Sequence, residues 1–440
     1  MSKEKLAILG GEPVFNEKDV PESLFKWPII TEEDEQAVLH VLRHENISGH
    51  NITDEFQRQF AAWQGTKYAL GFSSGTMALA AAMFAVGLGA GDEIICPTMT
   101  YWASIAQSMT FGAKPVFCNV GEDLSIDPED FEKRITPRTK AVMVVHYCAY
   151  PADMDRIMEI ANKHNIIVIE DVSHAQGGMY KGKKLGTFGK VAAMSLMSGK
   201  SFAIGEAGML VTDDVDIWER SIAYGHYDRN NENFLGANEE LKKYYRLPLG
   251  GVKGRVNQTC SAMGLVQLKY YDQRCEEIRK ALNYFWDSLE DLPGIKALRV
   301  DENEGSTMGG WYAPKGIYVP EELDGLSIAT FAKAVTAEGP DCHEGANVCL
   351  HTHDLFKTYD FRNSGKPSSI EYTDDTEYDN TDYLAPSMKR YCFSIPWFKH
   401  FDKEWIDKYI AAFRKVIENY KDLLEIDDKP EYTTGRWSGY

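Results

Sequence analysis

No stretch of this chain approaches the roughly 18 consecutive apolar residues that a membrane-spanning helix requires. The opening MSKEKLAILGGEP carries too short an apolar run for a secretory signal. A cytoplasmic protein with no membrane partner is expected. Basic residues are scarce as well: 47 Lys and Arg stand against 66 Asp and Glu, for a net charge of −19. Nucleic-acid and anionic-membrane binders usually present a basic surface to phosphates, so neither partner is expected. A local basic pocket for a phosphorylated ligand is still compatible with an acidic total. Paired cysteines are missing too. The eight cysteines, at positions 96, 118, 148, 260, 275, 342, 349 and 392, include no CxxC and lie mostly in apolar stretches, which reads as buried reduced thiols rather than disulfides. A looser cluster of Cys342, His343, Cys349, His351 and His353 matches no common zinc spacing, and no metal is expected there. There are no internal repeats.

What is present is ample material for a core, with 440 residues of which 44% are hydrophobic. Two domains fit that length. Residues 32–63 hold two helix patterns, TEEDEQAVLHVLRHE and TDEFQRQFAAWQG, each opened by a Thr N-cap and the second closed by Gly65. YALGF, DEIICP, AKPVFCNV, KAVMVVH, IIVIED, AAMSLM and AGMLVTDD read as strands. Most alternate with helical stretches, including one expected to begin in PTMTYWASIAQSMTFG. That rhythm predicts an α/β fold with a wound, mostly parallel sheet. A long helix is expected from about 258 to 290, after which the texture changes to a smaller C-terminal α/β domain. The expected division is 1–290 and 291–440. The second part includes a Tyr-rich acidic insertion at 357–390, too polar to pack alone, and the extended tail EIDDKPEYTTGRWSGY. The glycines of GLGAGDE lie between a helix and a strand, the reverse of the dinucleotide-binding order, and read as a helix C-cap and turn.

Candidate chemistry gathers between residues 166 and 200. IIVIED ends on Asp171, and the C-terminal ends of parallel strands are where open α/β sheets bind ligands. Lys200 follows in a loop with Ser198, Gly199 and Ser201. A strand-end carboxylate and a lone lysine among small residues suit pyridoxal 5′-phosphate (PLP), with the lysine holding the aldehyde and the acid keeping the pyridine nitrogen protonated. Ser73-Ser74-Gly75-Thr76 opens an Ala-rich helix, and backbone N–H groups at such a start suit a phosphate, although a plain N-cap fits equally well. Tyr101 and Trp102 follow a strand end, where an aromatic can lie flat on a planar ring. Lys253 and Arg255, in GGVKGRVNQ, stand out against the acidic background as a second anion contact.

Together these stretches resemble the DegT/StrS group of sugar aminotransferases, PLP enzymes of aspartate-aminotransferase-like fold. The resemblance rests on SSGTMALAAA, GAGDEIICPTMTY, ITPRTKAVMVVHYCAYPADMD, IEDVSHAQGGMYKGKKLGTFG, and S-x-x-x-x-K followed by GEAGMLVTDD. It is close over roughly residues 5–300 and loose beyond. It implies that Lys200 is the Schiff-base lysine and proton shuttle, that Asp171 pairs with the pyridinium nitrogen, and that Tyr101 stacks on the ring. It further implies that Gly75, Thr76 and Ser195 hold the phosphate and that His174 lies near the phenolic oxygen. Lys253 stands where many members have an Asn reaching the neighbouring subunit's cofactor phosphate, and Ala149 where a Gly is usual. His351 loosely matches a substrate-facing histidine of the small domain.

The expected reaction is ping-pong transfer of an amino group from glutamate or glutamine to a keto-sugar or keto-cyclitol, by a homodimer with shared active sites. A dehydrating branch of the group carries a histidine in place of the lysine, so Lys200 favours transamination. The alternatives are a PLP-dependent sugar lyase or dehydratase and a non-catalytic PLP-binding regulator. No stretch resembles a DNA-binding helix-turn-helix.

Overall fold

The computed structural model describes residues 4–378, 384–432 and 434–435. Parts of the acidic insertion (379–383) and of the tail (433 and 436–440) therefore lie outside the described residues. Two helices, α1 (Glu32–His44) and α2 (Asn51–Gln64), lead into β1 (Tyr68–Phe72), α3 (Gly75–Ala85), β2 (Glu93–Pro97) and β3 (Lys114–Cys118). The alternation continues through α4 (Pro128–Lys133), β4 (Thr139–Val145), α5 (Met154–His164) and β5 (Ile167–Asp171). A short hairpin of β6 (Met179–Tyr180) and β7 (Lys183–Lys184) precedes β8 (Val191–Ser195), β9 (Gly208–Thr212), α6 (Val215–Gly225) and the long α7 (Gln258–Asp287).

These strands form a seven-stranded sheet in the order β1-β9-β8-β5-β4-β2-β3. The pairs from β8 through β5, β4 and β2 to β3 are parallel, and β9 runs against both its neighbours. β2, β4 and β5 are buried almost throughout, as expected of parallel strands covered on both faces. Among the described residues no helix is long and apolar enough to cross a membrane.

A second sheet, β10 (Ile295–Ala297), β11 (Lys315–Tyr318) and β12 (Cys392–Ser394), is antiparallel and carries α8 (Ile328–Ala337) and the amphipathic α11 (Lys403–Glu418). Between α8 and β12 lie two one-turn helices, α9 (Asp354–Lys357) and α10 (Ala385–Met388).

Several local expectations are corrected. α2 starts at Asn51, two residues before Thr53, whose hydroxyl is instead buried against Ser261 Oγ at 2.9 Å and ties α2 to α7. The stretch after Tyr101 forms only 3-10 turns, Trp102–Ser104 and Ala106–Phe111, because Ile105 departs from helical geometry at φ −141°. The acidic insertion, too polar to pack alone, packs against the large sheet. Ile370 and Tyr378 are buried, Tyr378 Oη donates to Pro115 O, and Asp375 pairs with Lys114 at 2.5 Å, so the insertion covers edge strand β3. Phe15 and Phe25, from the N-terminal segment, pack on Tyr409 and Phe398 beside the smaller sheet.

Period-two alternation at the end of β5 sends two successive carboxylates to opposite faces. Glu170, fully buried, accepts from the N–H groups of Gly186, Phe188 and Gly189 at 2.7–2.8 Å and meets His146 Nε2 at 3.1 Å. Burial alone pushes its carboxyl up, but the His146 contact and the backbone donors outweigh it and hold the group below its ordinary range. A carboxyl depressed in the folded state contributes stability above its unfolded pKa of about 4.3 and loses it as pH falls through the folded value. Glu170→Gln is therefore expected to cost about 3–5 kcal/mol at neutral pH and to flatten the acid limb of the stability profile, as read from urea midpoints between pH 3 and 7.

Candidate active site

Strand ends of the large sheet supply the floor of a cavity of about 1180 Å³, and the smaller sheet supplies its other wall. Asp171, the last residue of β5, is 4% exposed; its Oδ2 accepts from Ser104 Oγ at 2.7 Å and its Oδ1 from Ser173 N at 3.0 Å. These two bonds fix the carboxylate's orientation.

Lys200 sits in the loop joining β8 to β9. Its backbone is held at both ends: its N–H donates to Met197 O at 2.8 Å, and its carbonyl accepts from Trp27 Nε1 at 2.9 Å. The next residue, Ser201, is locked between Gln176 Oε1 and Tyr271 Oη. The Lys200 amine lies 4.0 Å from the centre of the Tyr312 ring. Burial pushes its pKa down to about 8, against the opposing pull of Asp171 and the Cys148 thiol. About a tenth of such amines is neutral at pH 7, against fewer than about one in a thousand for an ordinary lysine.

The phosphate-type cradle forms where α3 begins. Ser74 is the N-cap and accepts from Met77 N, while Gly75 packs on the end of β8. A Cβ at Gly75 would lie 2.7 Å from both Cα and Cβ of Ser195, so only glycine lets the first turn of α3 approach that strand end. The result is a helix N-terminus with Thr76 and Ser195 at its mouth, chemistry suited to a phosphate dianion. Tyr101 also lines the cavity, beside Trp102.

His174 is 8% exposed between the rings of Tyr147 and Tyr312. Its Nδ1 accepts the Cys148 N–H at 3.3 Å, an assignment that leaves the proton on Nε2. Burial, then the nearby Lys200 and Lys315 charges, hold its pKa well below the ordinary value. The imidazole is therefore a neutral donor at physiological pH. Cys148 and Ala149 both adopt left-handed backbone, at φ 50° and 69°, so the Ala at the usual glycine position occupies the conformation that glycine would favour.

Seven of the expected residues, Gly75, Thr76, Tyr101, Asp171, His174, Ser195 and Lys200, thus share one cavity. Two do not. Lys253 lies outside it, 5.6 Å from the Tyr227 ring, although the adjoining Gly254 accepts from Ser73 N beside the cradle. His351 does not line the cavity either. It is buried against Thr98 Oγ1 at 2.6 Å, and burial, then Lys357 and Arg134, push its pKa down to about 4. The HxH pattern therefore marks a packed histidine. Sequence reasoning missed Tyr312, Lys315 and Asn347 on the cavity's other wall. Tyr312 and Asn347 come from irregular segments without periodicity, and Lys315 opens the short strand β11.

With this geometry in place, comparison with known proteins is decisive. The chain matches the DegT/DnrJ/EryC1/StrS aminotransferase family over residues 28–413. It belongs to that family. It is thus a PLP-dependent aminotransferase. L-glutamine:scyllo-inosose aminotransferase of Streptomyces griseus is 29% identical over 436 residues, covering 95% of this chain and 99% of that one. L-glutamine:2-deoxy-scyllo-inosose aminotransferase of Streptomyces kanamyceticus is 32% identical over 346 residues, 77% of this chain and 79% of that one. The crystal structure of an aminotransferase from Psychrobacter cryohalolentis superposes with a TM-score of 0.75 at 26% identity, covering 90% of this chain and 99% of that one.

Gly75→Val places side-chain atoms between α3 and β8 and is expected to weaken PLP binding more than tenfold. Titrating the apoprotein with PLP, followed by absorbance, checks this. An affinity equal to wild type would remove the cradle from the site.

Proposed function

We propose that this family member transfers an amino group from glutamine or glutamate to a keto-sugar or keto-cyclitol in two alternating half-reactions, as a cytoplasmic homodimer with shared active sites. The observation that carries the reading is the Lys200 amine, buried and partly neutral, in one cavity with the oriented Asp171 carboxylate. Relatives named for glutamine and inososes support the substrate class.

Bound PLP supplies an electron sink for the carbon that gives up its proton. The residues of the chain do the rest. Lys200 would hold the cofactor covalently, and its largely desolvated amine, once displaced, would serve as general base for the donor's α-proton and as proton donor to the acceptor carbon. Asp171, held by Ser104 and Ser173, would pair with the ring nitrogen. His174, with its proton on Nε2, would donate to the phenolic oxygen. Tyr101 would cover the ring face, and Gly75, Thr76 and Ser195 would receive the phosphate. Lys253, outside this chain's own cavity, is available to the cofactor phosphate of a second subunit. Tyr147 and Tyr312, which line the cavity, would limit water around the reacting carbon.

The test is absorption spectroscopy of the purified protein before and after glutamine or glutamate is added. The expected outcome is loss of the cofactor's visible band with a donor and its return on adding a keto-sugar or keto-cyclitol. Lys200→Ala should show no donor-driven change and a turnover lower by roughly 10²–10⁴-fold or more. A bound cofactor that responds to neither donor would shift the function to elimination chemistry or to sensing. Failure to bind PLP at all would remove Lys200 and Asp171 from their roles.

A further inference from the structure

Three segments far apart in sequence meet at the wall of the cavity opposite the strand ends. Residues 341–347 line that wall and are stitched to β12: Gly345 N donates to Cys392 O at 2.6 Å, and Ser394 N to His343 O at 2.8 Å. From the floor, Tyr147 Oη donates to Asn347 Oδ1 at 2.5 Å and accepts from Asn347 N at 2.9 Å. From the outside comes the C-terminal arm. Asp427 caps α8 by accepting from Ser327 N and Oγ and from Thr330 Oγ1. Tyr432 Oη then donates to Arg390 O at 2.8 Å. Thr434 is buried and fastens the wall at two points, its carbonyl accepting from Ala346 N at 2.6 Å and its Oγ1 from Cys349 N at 3.2 Å.

Gly435 of the arm itself lines the cavity and bridges to Ala346. The crossing is tight. A Cβ on Gly435 would lie 1.8 Å from Ala346 O, and one on Gly345 2.5 Å from Thr434 O. Glycine on both strands of the crossing allows backbone to touch backbone there. The cavity, at about 1180 Å³, exceeds the roughly 300–1,000 Å³ typical of small-molecule sites. Room therefore remains beyond the cofactor and an amino acid held at the strand ends. Asn347 and Glu344, both in the wall, offer hydrogen-bonding groups of the kind that read hydroxyls.

We propose that the C-terminal arm, through Thr434 and Gly435, sets residues 341–347 as the specificity wall for the larger, hydroxyl-bearing acceptor, a wall that the amino donor does not reach. The inference rests on the acceptor class proposed above. Thr434 and Gly435 are positioning residues, acting through the loop they hold.

The test uses full-length holoenzyme carrying Gly435→Ala or Thr434→Val, with scyllo-inosose and a panel of keto-sugars as large acceptors and 2-oxoglutarate as the small one. The kcat/KM for the best large acceptor, divided by that for 2-oxoglutarate, is expected to fall about tenfold in Gly435→Ala, mainly through KM. Amide hydrogen exchange at Ala346 and Cys349 should quicken in both variants. Equal loss with both acceptors would reduce the arm to a structural prop and overturn the inference, as would unchanged exchange at both amides. A wild type that exchanges glutamate with 2-oxoglutarate but accepts no keto-sugar or keto-cyclitol would overturn the proposed acceptor class, and this inference with it.

Discussion

Keeping a lysine amine reactive near neutral pH requires taking it out of water, and that requirement governs the centre of this protein. Lys200 is 8% exposed and makes no ion pair among the described residues; its amine faces an aromatic ring. Burial of a charged amine is unfavourable by several kcal/mol, so the side chain does not hold its own loop in place. The backbone does so instead. The Trp27 indole on the Lys200 carbonyl, the turn to Met197, and the Ser201 hydroxyl between Gln176 and Tyr271 all fix the loop without neutralising the amine.

A second constraint follows from the strand that faces the lysine. β5 ends in two carboxylates, and alternation gives them separate tasks. Asp171 turns into the cavity, its carboxylate oriented by two donors. Glu170 turns away and, through His146, braces the turn at 146–152, because Ala152 N donates to His146 Nδ1. That turn holds Cys148 and Ala149 in left-handed backbone. The strain, of order 1–2 kcal/mol per residue, leaves the Cys148 N–H bonded to His174 Nδ1 and so sets which nitrogen of that ring can donate into the cavity. A carboxylate outside the site thus helps decide the tautomer of a histidine within it.

The floor of the site was legible in the sequence for a physical reason. Parallel strands bring their C-terminal ends to one edge, so Asp171, Ser195, Tyr101 and the start of α3 converge once the strands are recognised. Lys200 follows because it is a lone lysine in a loop of small residues. The opposite wall was not legible. Tyr312 and Asn347 lie in irregular backbone, where neither period 2 nor period 3.6 applies, and their contacts with His174 and Tyr147 join residues more than a hundred positions apart. His351, matched to the family only loosely, packs beside Thr98 and does not line the cavity. Thr53 misled because a threonine inside a helix and one at its cap differ only in where the chain begins to turn.

The contacts of the first residues and of the insertion cross the division that composition implies. The N-terminal segment runs along the smaller unit: Leu24 O accepts from Lys399 N, and Phe25 stacks on Phe398. It then delivers Trp27 to the lysine loop. Lys399 lies between the rings of Trp27 and Trp397, and burial pushes its amine down to about 5. Trp397 in turn packs edge-on against Tyr312, the ring that faces the Lys200 amine, and its Nε1 donates to Gly310 O. The unit that supplies the acceptor wall and the loop that supplies the reactive amine are therefore joined through one aromatic cluster, independently of the chain connection at α7. Movement of the wall relative to Lys200 would have to break that cluster, so the wall's sequence and anchoring, more than a hinge between two units, set the space an acceptor meets.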